Sequence, residues 1–224
     1  MRGISRLNPH VPVRAKPVTP SLLISFHQHM DHSSSLHLTV FACSLFLFFT
    51  MSRLGSILPS SRRTPCHTFL TRDRVNFFKG GLLVTLIHTK TLQFGKRRLH
   101  IPLIRLDSIL CPLRAYHNSL LFLDHQSPVQ AFAFMSDGSI SPLTRSLFIN
   151  TFRAVLSSGG HSDAKSYTGH SFRRGGASWA FQTGLPGELI QICGDWASDA
   201  YKKYLEFSMQ NKIDLAVLFS RGLP

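Results

Sequence analysis

Apolar and polar positions along this chain change period twice, and the changes divide it into helical and extended regions. Thr19-Pro20 has the form of a helix start, with Thr as the cap and Pro at the first helical position. Leu22, Leu23, Phe26 and Met30 then recur at helical spacing and give that helix one apolar face. The run LHLTVFACSLFLFFTM (36–51) is apolar nearly all round, which predicts a helix over about 36–54 at the centre of a core. After Pro59 the period drops to two: Leu82, Val84 and Leu86 alternate with neighbours that point the other way. HTFLTRDRVNFF, KGGLLVTLIHTKTLQF and GKRRLHIPL predict three antiparallel strands, with turns near 79–81 and 94–96.

Helical spacing returns beyond residue 110. A helix is predicted over 111–124 with Pro112 early, and a loop with room for a small hairpin over 126–138. Ser141-Pro142 reads as the cap of a helix running to about 157, with Leu143, Leu147, Phe148, Thr151, Phe152 and Val155 on its apolar face. Two further helices, 171–183 and 186–193, end at Gly184 and Gly194, and Ser198 reads as the cap of a last one. The expected fold class is α+β and mostly helical, with a small three-stranded antiparallel sheet. Three segments follow: a basic, Pro-punctuated arm at 1–18, a domain at 19–208 and a tail at 209–224.

Composition narrows the partners. With 43% hydrophobic residues among 224, a sizeable core is available and wholesale disorder is excluded. Lys and Arg number 25 against 11 acidic residues, a formal charge of +14, which calls for a polyanion: nucleic acid or an anionic membrane surface. The apolar run at 36–51 is sixteen residues, short of the roughly 18–20 that cross a bilayer, so a buried helix accounts for it better. Cys43, Cys66, Cys111 and Cys193 show no CxxC spacing and are expected to be reduced thiols of an intracellular protein. His27, His29 and His32 lie close together but have no cysteine near them, and no metal site is assigned there.

The candidate chemistry sits late in the chain, in GHSFRRGGASWAF (169–181) and GDWASDAYKKYLEF (194–207). His170 and Arg173 stand three apart and share a helix face, whereas Arg174 is turned away by about 100° and suits a backbone phosphate or solvent. A planar guanidinium holds two phosphate oxygens at once and stays charged, which is what a five-coordinate phosphorus needs around it. Alone, His-x-x-Arg is a weak pattern. Its accompaniment matters more.

Taken together, these elements resemble the catalytic domain of the tyrosine recombinase (phage integrase) family, in particular the recombinases of DIRS-type retrotransposons and cryptons. FFTMSRLGSILP offers Arg53 after the apolar helix, HTKTLQFGKRRLHIPL offers Lys90 in a strand turn, GHSFRRGG offers His170 and Arg173, and GDWASDAYKKYLEF offers Trp196 and a tyrosine. The resemblance spans about 17–208 and keeps the family's order. It implies an integrase-type catalytic domain acting on double-stranded DNA as part of a multimer, in the nucleus, with neither metal nor ATP. Within it Arg53 and Arg173 would clamp the non-bridging oxygens, and His170 would assist deprotonation of the nucleophile. Lys90 would protonate the departing 5′ oxygen, Trp196 would donate to the phosphate or buttress the pocket, and the tyrosine would form a 3′-phosphotyrosyl link. Tyr201 and Tyr204 are three apart, so periodicity does not choose between them; the resemblance favours Tyr204. Lys96, Arg97, Arg98 and Arg174 are the expected contacts to the DNA backbone.

Plainer roles exist for each residue: Arg53 as a cation at a helix C-terminus, Lys90 as a solvated hairpin residue, Trp196 as core. Two departures from the family's pattern stand out. Ser56 occupies the place, three after Arg53, where relatives often carry an acid, and the residues before Thr19 are too few for the helical domain that usually closes around DNA. A fragment or a remnant copy is therefore expected. A DNA-binding module that kept the fold and lost the reaction is the rival reading, and a type IB topoisomerase is a third.

Overall fold

The computed structural model describes residues 15–87, 98–123 and 129–205, together with positions 209, 213 and 217. Its centre is α2 (Ser35–Thr50), whose residues are buried on every face, as an all-apolar helix demands. Around it pack α1 (Pro20–His29), α4 (Pro112–Leu120), α5 (Arg145–Ser158) and α6 (Gly169–Gln182). Phe26, Phe152 and Phe172 link three of these layers, with ring centroids 5.1 Å and 4.8 Å apart in succession. The buried hydroxyls of α2 donate back to carbonyls four residues earlier: Thr39 to Ser35, Ser44 to Val40 and Thr50 to Phe46. Thr39 also reaches Ala133 O at 3.1 Å and Ser35 Oγ accepts from Met135 N–H at 3.0 Å, so the buried hydroxyls of the apolar helix are satisfied within it and by β4 (Ala133–Ser136). No helix among the described residues is long and apolar enough to cross a membrane.

The period-two segment forms a three-stranded antiparallel sheet in the order β1 (Val75–Phe78), β2 (Gly81–Leu86), β3 (Leu99–Ile104). Leu82, Val84 and Leu86 face the core, and Ile101 and Leu103 join them from β3, in the register Val84↔Ile101 and Leu82↔Leu103. The β1–β2 turn falls at 79–80, as expected, between Phe78 and Gly81. The predicted turn near 94–96 lies outside the described residues. HTFLTRDR, read as strand, instead forms two short 3₁₀ turns, Cys66–Thr68 and Arg72–Arg74, before β1 begins.

Several boundaries differ from the expectation for identifiable reasons. α2 stops at Thr50 because Met51 adopts a left-handed conformation (φ 49, ψ 28), which turns the chain before Arg53. Ser141-Pro142 does not cap a helix. It ends β5 (Ser139–Pro142), which pairs with β4 (Ala133–Ser136) through a turn at Asp137-Gly138, both at positive φ. The cap of α5 is Thr144, whose hydroxyl accepts from Leu147 N–H at 3.4 Å. The last helix, Asp199–Tyr204, is 3₁₀ rather than α, and the Ser198 side chain does not cap it. The described residues of the arm, 15–18, belong to no helix or strand, with Val18 buried and its N–H donating to Ser171 O at 3.0 Å.

α2 and α6 cross at unusually short range. A side chain at Gly176 would stand 2.1 Å from Phe48 O, so only glycine permits this approach. The crossing fixes Arg173 against the chain that leaves α2, and a site forms there.

Candidate active site

Thr168 begins α6 with a capping box: its hydroxyl accepts from the first turn while Ser171 Oγ accepts from Thr168 N–H at 2.9 Å. That start places His170 exposed on the first turn and Arg173 one turn on, facing inward. Arg173 is only 2% exposed. Its Nη1 donates to the carbonyl of Met51, the left-handed residue at the end of α2. Its Nε and Nη2 are buried and have no hydrogen-bond partner among the described residues. Arg53, half-buried, begins the short α3 (Leu54–Ile57) immediately after this turn.

The other wall is aromatic. The indole of Trp196 lies under the Arg173 guanidinium, 3.7 Å from Cζ to the ring centroid, and the Tyr204 ring lies 5.9 Å from the same atom. Trp196 contacts both tyrosines, with centroids 6.2 Å from Tyr201 and 5.6 Å from Tyr204. In a 3₁₀ helix residues three apart eclipse, which explains why both reach the indole. They then diverge. Tyr201 is buried, and its hydroxyl sits where a side chain at Gly187, the first residue of α7 (Gly187–Cys193), would be, 2.4 Å away. Tyr204 is half-buried and is the tyrosine whose charge acts on Arg173.

Electrostatics bind the cluster together. Burial pushes the Arg173 guanidinium down from its usual value to about 10, and the charge of Arg53 adds to the effect. Tyr204 and Asp195 act in the opposite direction. Two arginines close enough to repel, one of them buried with donors to spare, form a site that favours an anion. Asp195 was not anticipated from sequence. It is buried, left-handed (φ 51) and next to Trp196, and it brings a carboxylate toward Arg173 where Ser56, buried after Arg53, brings none.

The structure thus gathers Arg53, Arg173, Trp196 and Tyr204, with His170 one turn away at the surface. Lys90, Lys96 and Arg97 lie outside the described residues, and Arg98 is exposed just before β3. Arg174, expected to meet DNA backbone or solvent, is half-buried and its Nη1 donates to Ala15 O of the arm at 3.4 Å. Ser178, also unanticipated, donates its hydroxyl to the Tyr204 carbonyl at 2.7 Å.

No protein-family model and no curated protein matches the sequence. Solved structures do match the fold. XerA recombinase aligns with a TM-score of 0.65 at 15% identity, over 96% of this chain and 67% of that one. The XerH site-specific recombinase bound to its difH substrate, in a pre-cleavage complex, aligns with a TM-score of 0.59 at 15% identity. The lambda integrase catalytic core aligns with a TM-score of 0.54 at 15% identity, over 80% of this chain and 94% of that core. This chain has the tyrosine-recombinase catalytic fold. The alignment with XerH covers 92% of this chain and 55% of the XerH chain, so this chain spans little more than half of that protein's length.

Proposed function

We propose that this chain is the catalytic domain of a tyrosine recombinase, cutting and rejoining double-stranded DNA through a covalent 3′-phosphotyrosine. The observation that carries this reading is Arg173. A guanidinium so deeply buried, with two nitrogens unpartnered among the described residues and a second arginine beside it, is costly unless an anion completes it. A tyrosine beside that anion site supplies the nucleophile.

In the reaction the Tyr204 oxygen attacks phosphorus, its proton leaving with the help of His170. The P–O5′ bond breaks, a 3′-phosphotyrosyl ester forms, and Lys90 delivers a proton to the departing 5′ oxygen. Arg53 and Arg173 hold the two non-bridging oxygens as charge builds there, and Trp196 keeps the Arg173 guanidinium in plane beneath the phosphate. Rejoining is the reverse attack by a 5′ hydroxyl, so bond energy is conserved and no ATP is consumed. With its value lowered only to about 10, the Arg173 guanidinium is charged throughout the neutral range. The formal charge of +14 supports binding to duplex backbone, with affinity falling as salt rises. Action as a multimer, and the nucleus of a mobile element's host as the setting, complete the proposal.

The test is a duplex carrying a nick near the point of attack, which traps the covalent intermediate. A protein–DNA band on a denaturing gel is expected, lost in Tyr204→Phe and kept in Tyr201→Phe. Duplexes that are bound but never yield a band, across a library of sequences, would instead mark a DNA-binding module without the reaction.

A further inference from the structure

Ser178 lies on α6 five residues after Arg173, buried, at a place where a hydroxyl ordinarily serves its own helix. Thr39, Ser44 and Thr50 of α2 do so, each donating to the carbonyl four residues before it, with Thr39 also 3.1 Å from Ala133 O. Ser178 Oγ donates to an acceptor far along the chain, Tyr204 O, at 2.7 Å. That carbonyl ends the 3₁₀ segment Asp199–Tyr204, where backbone acceptors lack helical partners. A single 3₁₀ segment has weaker hydrogen-bond geometry than an α-helix and relies on its packing to hold its place. Here the packing comes from Trp196, Ala177 and Ala180 on one side and Ile190 on the other.

We propose that Ser178 is a positioning residue that sets the reach of Tyr204 to the phosphate. Arg173 and Ser178 belong to one rigid helix, so the helix carries both the clamp for the anion and the anchor for the backbone of the nucleophile. The separation between guanidinium and phenol is then held by α6. This rests on Tyr204 as the attacking residue; the anchor itself is a feature that can be measured without any reaction.

Two readouts on Ser178→Ala and Ser178→Thr test it. In single-turnover trapping on the nicked duplex, Ser178→Ala should lower the rate at saturating DNA by roughly tenfold to a hundredfold, the penalty for small misplacement of a reacting group. Its half-saturating DNA concentration should stay that of the parent, and Ser178→Thr, which keeps the hydroxyl, should recover most of the rate. Independently, amide hydrogen exchange over 199–205 should speed up in Ser178→Ala and not in Ser178→Thr. A parent rate in Ser178→Ala, or equal losses in both variants, would overturn the proposal. If the parent itself forms no adduct, the recombinase reading fails, and the exchange measurement decides the anchor alone: unchanged protection in Ser178→Ala overturns it.

Discussion

Two buried clusters divide the labour of this molecule. The larger surrounds α2 and is aromatic and aliphatic: Phe26, Phe41, Phe46, Phe148, Phe152 and Phe172 interleave, and the buried hydroxyls on α2 are satisfied by their own helix or by β4. The smaller contains Met51, Ala177, Ala180, Ile190, Trp196 and Tyr201, with Tyr204 against its edge, and Arg173 stacks on its indole. In the first, burial removes apolar surface from water and stabilises the fold by about 1.5–3 kcal/mol for each large side chain. In the second, burial strips water from a charge and leaves two of its nitrogens without a partner among the described residues, which opposes folding. The contrast separates what holds the chain together from what costs it stability.

The largest effect should follow from breaking the first cluster. Phe152 is fully buried between Phe26 and Phe172, so Phe152→Ala should cost about 3–5 kcal/mol in denaturant unfolding. Arg173→Met should behave oppositely: unfolding within about 1 kcal/mol of the parent, because relief of a desolvated charge offsets the lost bond to Met51 O, together with complete loss of covalent trapping.

Orthovanadate or phosphate sharpens the contrast. Either anion should stabilise the parent, by about 2.7 kcal/mol at a hundredfold excess over Kd, and leave Arg173→Met unmoved in thermal unfolding. The pH dependence has a definite sign. Burial lowers the Arg173 guanidinium to about 10, below its ordinary value, so its charged form disfavours the folded state at every pH below about 10. That penalty lifts as pH rises above about 10, and stability gains there from this group. Anion-induced stabilisation should accordingly hold from neutral pH to about 9 and fall away as pH passes 10. The smallest effect belongs to Tyr116, whose phenol is raised to about 12 by burial and whose hydroxyl has no partner among the described residues. Tyr116→Phe should unfold within about 0.5 kcal/mol of the parent, or slightly later, since no hydrogen bond is lost.

Much of this division was legible in the sequence, and the exceptions are instructive. The alternation Leu82, Val84, Leu86 and the all-apolar run of α2 predicted their burial directly, because periodicity reports which faces leave water. His170, Arg173, Trp196 and the two tyrosines were visible as residue types in order. Their convergence was not, since it depends on Met51 turning left-handed at a non-glycine residue, which no local propensity announces. Ser-Pro at 141–142 misled because proline's fixed φ suits both a helix start and the end of an edge strand. Asp195 and Ser178 carried no signal at all: a lone acid and a mid-helix serine acquire meaning only from the partners that tertiary structure brings to them.

The proposed reaction requires Arg53, Arg173 and Tyr204 to meet at one phosphate. Trapping the adduct on a nicked duplex, digesting it and identifying by peptide mass the tyrosine that carries the nucleotide decides this. Attachment at Tyr204 is expected in the parent and none in Arg173→Met. Attachment at Tyr201, or undiminished attachment at Tyr204 without the Arg173 guanidinium, would contradict it.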